Sequence, residues 1–553
     1  MTKMKNNNNL TEEKFVNEST KIKEVDPNKK RKKTGFDLDK SSTWSNFWRI
    51  WIPTIVTQLI AGTFIVFDTM FIAHGYHSGN IGDIWTWNSD VAYAAIGPSG
   101  TAFAMPYTLL MVSMGLLIGG GISIKVIKQK AVGDDEGAKK TMNNLTPIVL
   151  MYGLVMTGVF FIGAKFFIWL GSGFQTVFLD NWFNNPLLNS DWNGSITDNT
   201  MNVDAAGQLF QQAGWYLRIQ ALGSIPYIYM IASQITLRVE GKSNRGIRYT
   251  GASLAMNIVL DFLFIVVFGL NLVGAALATV IAQTLAASLY YRYYRREFPI
   301  KMDSFSWSEG RKDVKEVSKL GTSTMFLQLI SMLILLTFTI SIGVVYYDDF
   351  NASLNFTSAF QGYFSLFVLF ILPVNGTAQA TSAVASYNYQ KKRPEKIYEV
   401  RKIGFSITLF YSFLITLLVL FYPNITQAFG QPSIGNFYPQ RMAQIMFFTF
   451  TLTSLTLLNS IYLQSTGKEK GAMTILFIKS LLILPIALII GFATKDAVAN
   501  GTNWSWGSNE INAPYSVFLF YTIPIIDIIT FPFVIKQFSD ANKRISKMEN
   551  TQK

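Results

Sequence analysis

Residues 47–73 read FWRIWIPTIVTQLIAGTFIVFDTMFIA, an apolar run in which Asp68 is the lone carboxylate. About 20 apolar residues are enough for a helix to cross the ~30 Å hydrocarbon core of a bilayer, so this run predicts a transmembrane helix. An ionisable side chain inside such a helix is expensive to bury and marks a functional site by default. Asp68 is therefore the first candidate site residue of the chain.

Apolar runs of similar length recur along the whole sequence of 553 residues, of which 50% are hydrophobic and 15% charged. This composition is too apolar for a soluble protein of this size. The runs predict an all-α integral membrane protein with twelve transmembrane helices, of which the second and eighth are long enough to tilt or protrude. They fall at about residues 47–73, 92–124, 146–170, 215–237, 249–270, 272–292, 318–345, 355–383, 403–422, 442–463, 471–492 and 515–536.

The net charge of +13 follows the predicted topology. The 47 Lys and Arg residues concentrate in the two tails and in alternate loops, whereas the opposite loops contain Arg441 and Lys495. This alternation is the positive-inside rule, which predicts cytoplasmic termini and a multi-pass protein of the cell membrane. It explains the charge without nucleic acid, which we do not expect as a partner. The basic run 29–33 is either a solvated topology determinant or a segment resting on anionic lipid.

The twelve predicted spans divide into two similar halves of six. Residues 52–60 resemble 322–330, with Gln58 opposite Gln328. The motif that begins at Leu237 is likewise echoed by the one that begins at Leu463. Six spans per half predict a parallel repeat, in which two pseudo-symmetric six-helix lobes enclose a central cavity and can rock. We expect Gln58, Gln328 and Tyr216 at this substrate cavity.

Charged and polar stretches predict the boundaries of the two lobes. The long outer loop at 171–214 is either a lid over the cavity or a flexible loop without a function of its own. The chain has no cysteine, which excludes disulfides and thiolate metal sites. The predicted units are a disordered basic tail at 1–46, an N-lobe at 47–292, an inter-lobe linker at 293–317, a C-lobe at 318–536 and a tail at 537–553.

A second intramembrane acid, Asp261, lies in the fifth predicted span, four residues after Asn257. This spacing puts both side chains on one helix face. A short turn then returns the chain into the membrane, so that Thr279 reaches about the depth of Asp261. Together with Asp68 these side chains predict a pocket of oxygen atoms that suits a hard cation or a proton. The alternative is that each acid merely hydrogen-bonds a neighbouring helix.

The second half has a buried pair of its own. Lys479 and Asp527 lie near the middle of the eleventh and twelfth predicted spans. Unpaired charges at that depth are expensive, so we expect the two side chains to neutralise each other. A structural salt bridge is the favoured interpretation, and a role in substrate binding or proton relay is the alternative.

Several short motifs together resemble the multidrug and toxic compound extrusion (MATE) family, over about residues 45–540. Each is weak alone, but their order and spacing across twelve spans are specific. They are Pro53, Val66-Phe-Asp-Thr-Met70, Ala94-Ala-Ile-Gly-Pro98, Asn257 with Asp261, Gly274-Ala-Ala-Leu-Ala-Thr279 and Gly376-Thr-Ala-Gln-Ala-Thr-Ser-Ala-Val-Ala-Ser-Tyr-Asn-Tyr389.

The resemblance implies a function and a site. In prokaryotic MATE proteins the residues that match Asp68, Asn257, Asp261 and Thr279 form the cation-coupling site, and the residue that matches Pro53 bends the first helix. The resemblance thus implies a secondary active transporter, not an enzyme, that exchanges Na⁺ or H⁺ for amphiphilic, often cationic compounds. It implies no cofactor beyond the coupling ion and no metal beyond a possible Na⁺. We expect a monomer surrounded by lipid.

The chain also departs from part of the family pattern. Some branches of the family use an acid in the seventh and tenth spans. This chain has no acid there: the seventh span has Gln328, and the tenth has Thr, Asn459 and Gln464. Coupling should therefore lie in the N-lobe. A related two-lobe branch flips lipid-linked precursors or polysaccharides. That alternative requires Arg or Lys in the cavity to bind pyrophosphate, and few basic residues occur within the predicted spans.

Overall fold

The computed structural model describes twelve stretches of the chain. Residues 1–41 of the predicted basic tail and residues 176–202 of the long loop lie outside them. The described residues are 42–74, 91–131, 134–175, 203–239, 242–297, 307–347, 350–425, 439–466, 469–499, 503–505, 512–514 and 519–550.

Within these ranges the chain is almost entirely helical. A π-helical turn, Phe262–Val267, follows the seventh helix, and two short strands, β1 (Asn503–Ser505) and β2 (Asn512–Pro514), pair antiparallel. The helices are α1 (Thr43–His74), α2 (Val91–Ala131), α3 (Asp135–Asn143), α4 (Leu145–Gly171), α5 (Val203–Leu222), α6 (Ser224–Val239), α7 (Ser243–Asp261), α8 (Asn271–Glu297), α9 (Trp307–Val345), α10 (Phe350–Gln390), α11 (Pro394–Phe421), α12 (Pro439–Phe447), α13 (Phe450–Ser465), α14 (Glu469–Ala499) and α15 (Thr522–Asn550).

Each predicted span coincides with a helix or a broken helix pair. Among the described residues, nine helices are long and apolar enough to cross a membrane, and α12 with α13 forms a tenth span bent by 47°. The remaining two predicted spans lie on the pair α5–α6 and on α9. Helices α2 and α10 have 41 residues each, so at 1.5 Å per residue they exceed the bilayer core, as their long apolar runs predicted.

Several helices begin earlier than their apolar runs, and the difference is largest for α5 and α9. Helix α5 begins at Val203, within the predicted loop, and α9 begins at Trp307, within the predicted linker. In the sequence, polar residues precede buried Leu209 and Phe210 in α5, and charged residues precede buried Val317 in α9. A search for continuous apolar runs misses such turns because their polar residues lower the mean hydropathy.

Spans four and ten break at matching positions of the repeat. The first break is at Gly223, between α5 and α6, and the second is at Phe448 and Thr449, between α12 and α13. Gly223 and Thr449 each lie 14 residues before the first Leu of the repeated motif, Leu237 and Leu463. The internal repeat of the sequence is therefore also a repeat of helix irregularities.

Each half of the chain has its own large apolar core. The first core consists mostly of buried residues between Ile72 and Tyr294, and the second lies between Leu335 and Ile526. Large apolar side chains also remain on the outside, such as Ile162 with 83% and Phe421 with 75% of the surface exposed. Exposed apolar residues of this size are expected where a helix faces lipid.

Helix α2 packs along α9, and α1 packs along α10, which joins the two halves. The α2–α9 crossing is tight, because a Cβ atom on Gly321 would lie 1.8 Å from the Leu117 carbonyl oxygen. Beside it Lys125 binds Asp313 at 2.8 Å and Glu316 at 2.6 Å. The halves therefore meet through close backbone contact as well as ion pairs.

Candidate cation site in the N-lobe

Three packed helices carry the four residues predicted to coordinate a cation. Helix α7 provides Asn257 and Asp261 and packs against both α1, which carries Asp68, and α8, which carries Thr279. Asn257 and Asp261 are fully buried, and Thr279 is 5% exposed. The Asp261 carboxylate lies within electrostatic range of Asp68 and beside the Asn257 side chain. The structure thus brings Asp68, Asn257 and Asp261 together, with Thr279 buried on the adjoining helix α8.

The turn between α7 and α8 explains how the chain brings these helices together. After the π-helical turn the backbone reverses through Gly269 at φ +65° and Asn271 at φ +48°, a left-handed conformation that Gly and Asn tolerate best. A Cβ atom on Gly274 would lie 2.9 Å from the Phe264 carbonyl oxygen, so the helices approach closely. The π-helical turn directly follows Asp261, and such irregular turns are frequent at functional sites.

The polar atoms of this region have few partners within the protein. Among the described residues, the buried carboxylate oxygens without a hydrogen-bond partner all belong to Asp68 and Asp261. Leaving a buried polar group unsatisfied costs about 1–3 kcal/mol, and more for a charged one. Further buried atoms without a hydrogen-bond partner are both side-chain polar atoms of Asn257, Gln220 Oε1 on α5, and Thr279 Oγ1 and Gln283 Oε1 on α8.

This donor set fits a hard cation or a proton. Carboxylate, amide and hydroxyl oxygens are the ligands that Na⁺ and similar ions accept in place of water. No salt bridge of the described residues involves Asp68 or Asp261, so a bound cation would supply charge that neighbouring side chains do not. The side chains of Asp68, Asn257, Asp261 and Thr279 therefore have the chemistry that would hold a hard cation or a proton.

Tyr216 and Gln220 lie beside the predicted set, and Gln283 lies one helical turn after Thr279 on α8. Tyr216, on α5, is 7% exposed and lies within electrostatic range of both carboxylates, with Gln220 beside it. Tyr216 had been predicted at the substrate cavity, whereas Gln220 and Gln283 were missed. A signal existed, because Gln220 and Gln283 lie four residues after Tyr216 and Thr279, and residues four apart share a helix face.

The other predicted residues lie away from this cluster. Helix α1 is continuous through Pro53, whose missing N–H leaves the Arg49 carbonyl without its usual helical partner. Gln58 is buried where α1 packs on α10 at Gly376, and it lies ten residues, or ~15 Å along the helix, before Asp68. Gln328 is half-buried on α9.

The C-lobe contains a buried acid with a complete set of partners. Asp527, on α15, is 2% exposed and forms an ion pair with Lys479 of α14, which is 7% exposed. Its other carboxylate oxygen accepts hydrogen bonds from Thr449 at 2.8 Å and from Thr453 at 2.5 Å. Thr449 lies at the break between α12 and α13.

Comparisons with known proteins give a consistent result. The family model MatE matches residues 324–489. The multidrug export protein MepA of Staphylococcus aureus (strain bovine RF122 / ET3-1) is 25% identical over 306 residues, 52% of this chain and 62% of that protein. The protein of the same name from Staphylococcus saprophyticus is 28% identical over 256 residues, 43% of this chain and 52% of that protein. The chain thus matches less than two thirds of the length of these relatives.

Solved structures share the fold over almost the whole chain. An inward-facing conformation of a multidrug resistance MATE family transporter of the MOP superfamily has a TM-score of 0.64 at 16% identity, covering 93% of this chain and 100% of that chain. An outward-facing conformation scores 0.61 at 17% identity and covers 93% and 98%. A MOP superfamily transporter from Pyrococcus furiosus scores 0.63 at 16% identity, with the same coverage.

The fold and the buried oxygen cluster define a multi-pass membrane protein built from two pseudo-symmetric helical lobes. The matched family model is MatE, two of the structural neighbours are MATE family transporters, and the sequence relatives are multidrug export proteins. Residues 324–489 thus match the MatE family model, and the chain shares the fold of solved MATE transporters.

Proposed function

We propose that this protein is a secondary transporter that exports small amphiphilic, often cationic compounds in exchange for Na⁺ or H⁺. The observation that carries the proposal is the group of partnerless buried oxygens on Asp68, Asn257, Asp261 and Thr279. Two nearby acids buried without a cationic side chain require a mobile cation or proton, because uncompensated charge is expensive inside a membrane. The multidrug export relatives support the substrate class.

Helix α1 is the element through which the site acts on the rest of the molecule. Asp68 faces the cluster, while the next residue, Thr69, shares a hydrogen bond of 2.9 Å with Ser365 of α10. Near the other end of α1, Trp51 donates to Thr377 of α10 at 2.9 Å. We propose that binding of the cation shifts or bends α1, with Pro53 as the bend. The shift changes the N-lobe cavity and exchanges inward- and outward-facing states.

The driving force matches such an exchange. One H⁺ that enters down about −100 mV and about one pH unit supplies roughly 2.3 plus 1.4 kcal/mol, enough for a gradient of several hundred-fold for a neutral substrate. A singly charged substrate exchanged one for one cancels the voltage contribution, and the chemical gradient alone then remains. We place the protein in the cell membrane as a lipid-surrounded monomer with both termini in the cytoplasm.

Uptake of a fluorescent cationic dye into proteoliposomes tests the proposal. The full chain should accumulate dye under an imposed Na⁺ or pH gradient, and Asp68→Asn and Asp261→Asn should abolish the gradient-driven part. The matched control is Asp540→Asn, a partly exposed acid of α15. If both N-lobe variants transport like the parent under either gradient, the coupling assignment is wrong.

The flippase alternative is less well supported. The basic residues of the described spans are few, and Lys479, the central one, already pairs with Asp527. Recognition of a pyrophosphate requires several unpaired Arg or Lys side chains. The same proteoliposomes can test it, since flipping of a labelled prenyl pyrophosphate without dye movement would favour the alternative.

A further inference from the structure

Asp527, like Asp261, lies beside a helix irregularity. Asp261 precedes a π-helical turn, and Asp527 contacts the break between α12 and α13 through Thr449, the residue just before α13. Broken helices in membrane transporters are frequent ion and substrate sites, because unwound turns leave polar groups free to bind. The C-lobe position is therefore an expected place for a ligand.

The side chains around Asp527 also form a cation site by their chemistry. Two carboxylate oxygens and the hydroxyl oxygens of Thr449 and Thr453 lie together, and buried Tyr363 of α10 is within electrostatic range of Asp527. These oxygens are the same types that Asp68, Asp261 and Thr279 provide in the N-lobe.

A cation of the protein itself occupies this C-lobe site. The Lys479 ammonium contacts the carboxylate oxygen that neither threonine contacts. Lys479 lies ten residues into α14, or ~15 Å from its start, and 7% of its surface is exposed. A charge held by a covalent stem competes with free ions at a high effective concentration, so dissolved cations displace it poorly.

We propose that the Lys479 ammonium is the tethered cation of a second cation site, formed by Asp527, Thr449 and Thr453. The tether keeps the Asp527 carboxylate neutralised throughout the transport cycle, and the C-lobe therefore exchanges no ion. Removing the ammonium converts the site into one that binds a small free cation, either an alkali ion or an alkylammonium. This inference uses contacts of the C-lobe alone and does not depend on the coupling role proposed for the N-lobe.

A purely structural salt bridge leads to a different expectation. If the pair only holds α13, α14 and α15 together, loss of Lys479 lowers stability to the same extent in every salt. If the site is a cation site, the loss is reversed by a cation that fits it, because a ligand that binds the folded state stabilises it in proportion to the logarithm of its concentration.

The experiment measures thermal unfolding of the purified full chain in a background of Asp68→Asn with Asp261→Asn, which removes the N-lobe acids. NaCl is titrated against N-methylglucamine chloride at constant ionic strength. The background protein should show no Na⁺-specific shift of Tm. Adding Lys479→Met should lower Tm and create a Na⁺-specific rise that grows with the logarithm of NaCl concentration. The matched control adds Lys479→Met with Asp527→Leu, which removes both charges and should show no rise.

A second variant and ligand test the proposal even if the Lys479→Met protein folds poorly. Lys479→Ala leaves a gap shaped like the lost side chain, so n-butylammonium chloride should raise its Tm while n-butanol at equal concentration should not. Lys479→Ala with Asp527→Leu should respond to neither. If neither Na⁺ nor butylammonium distinguishes the single C-lobe variants from their double controls, the tethered-cation proposal is wrong. If the N-lobe acids do not couple transport to a cation, the dye-uptake experiment will show it, and these Tm results will not change.

Discussion

The two lobes each bury an acid at a helix irregularity, and they satisfy it in opposite ways. Among the described residues, Asp261 and Asp68 have buried oxygens without a hydrogen-bond partner, whereas the Asp527 carboxylate pairs with an ammonium and accepts hydrogen bonds from two hydroxyls. A fully partnered buried carboxylate is part of the folded structure, while a partnerless one requires something mobile. In our proposal, this difference gives ion exchange to the N-lobe and a permanently neutral acid to the C-lobe.

This asymmetry matters for a protein built from two similar halves. A rocking motion between equal lobes needs a reason to begin in one of them, and a site whose charge changes on binding provides that reason. Helix α1 belongs to the N-lobe site through Asp68 and contacts α10 through Thr69. A local charge change can therefore reach the interface between the halves through one helix.

The largest effect is expected from Asp261→Asn. Asp261 is fully buried without a partner, so the neutral amide should keep the fold but lose the charge that binds the cation. Gradient-driven dye uptake should fall to the level of protein-free vesicles, with Asp540→Asn remaining near the parent. Dye uptake by Asp261→Asn above a tenth of the parent rate would contradict the proposal that the N-lobe, through Asp261, exchanges the cation.

Lys479→Met should have the next largest effect, on stability. Breaking a buried ion pair leaves one uncompensated charge and costs about 3–5 kcal/mol, whereas replacing both partners with apolar residues is often neutral. We expect a marked loss of Tm in the single variant and recovery of most of it in Lys479→Met with Asp527→Leu. Equal Tm values for the parent and the single variant would show that the ion pair of Lys479 and Asp527 does not stabilise the folded protein.

Gly321→Ala tests the contact between the lobes. A Cβ atom there would lie 1.8 Å from the Leu117 carbonyl oxygen, so α2 and α9 must separate locally, at a cost of about 1–3 kcal/mol. Gly158→Ala is the matched control, because a Cβ on Gly158 meets nothing within 4 Å. Thermal unfolding should distinguish the two, and a Gly321→Ala protein as stable as the Gly158→Ala protein would contradict the tight crossing.

The smallest effect is expected from Gln283→Leu. Loss of one neutral ligand near the cation should weaken binding by about 1 kcal/mol, which is roughly a fivefold rise in the Na⁺ or H⁺ concentration for half-maximal uptake. Thr284→Val, at an exposed neighbour that bonds its own helix at 2.7 Å, should leave that concentration unchanged. An unchanged value for both variants would place Gln283 outside the site.

Much of the fold could be predicted because lipid imposes simple rules. Each of the twelve apolar runs coincides with a helix or a broken helix pair, and among the described residues nine or ten of these are long and apolar enough to cross a membrane. The helix breaks at Gly223 and Thr449 could not be predicted in the same way, because both runs continue through them and packing decides where a helix bends. The early start of α5 was missed because polar residues in its first turns lower their mean hydropathy.

The candidate site residues could be predicted where a charged side chain interrupts an otherwise apolar span. An acid within an apolar run is conspicuous, so Asp68 and Asp261 stood out, and helix spacing added Asn257. Gln283 did not stand out, because glutamine is uncharged and occurs in several spans. Sequence also suggested that Lys479 and Asp527 neutralise each other, but their two threonine partners depend on the bend before α13, which only the three-dimensional structure supplies.

The most direct test counts the cations that the purified full chain binds. Radiolabelled Na⁺ binding and proton uptake would be measured for the parent, for Asp68→Asn with Asp261→Asn, and for Lys479→Met with Asp527→Leu. We predict that the parent and the C-lobe double variant bind the coupling ion alike and that the N-lobe double variant does not. Binding that survives in the N-lobe double variant and disappears in the C-lobe one would contradict the assignment of ion exchange to the N-lobe.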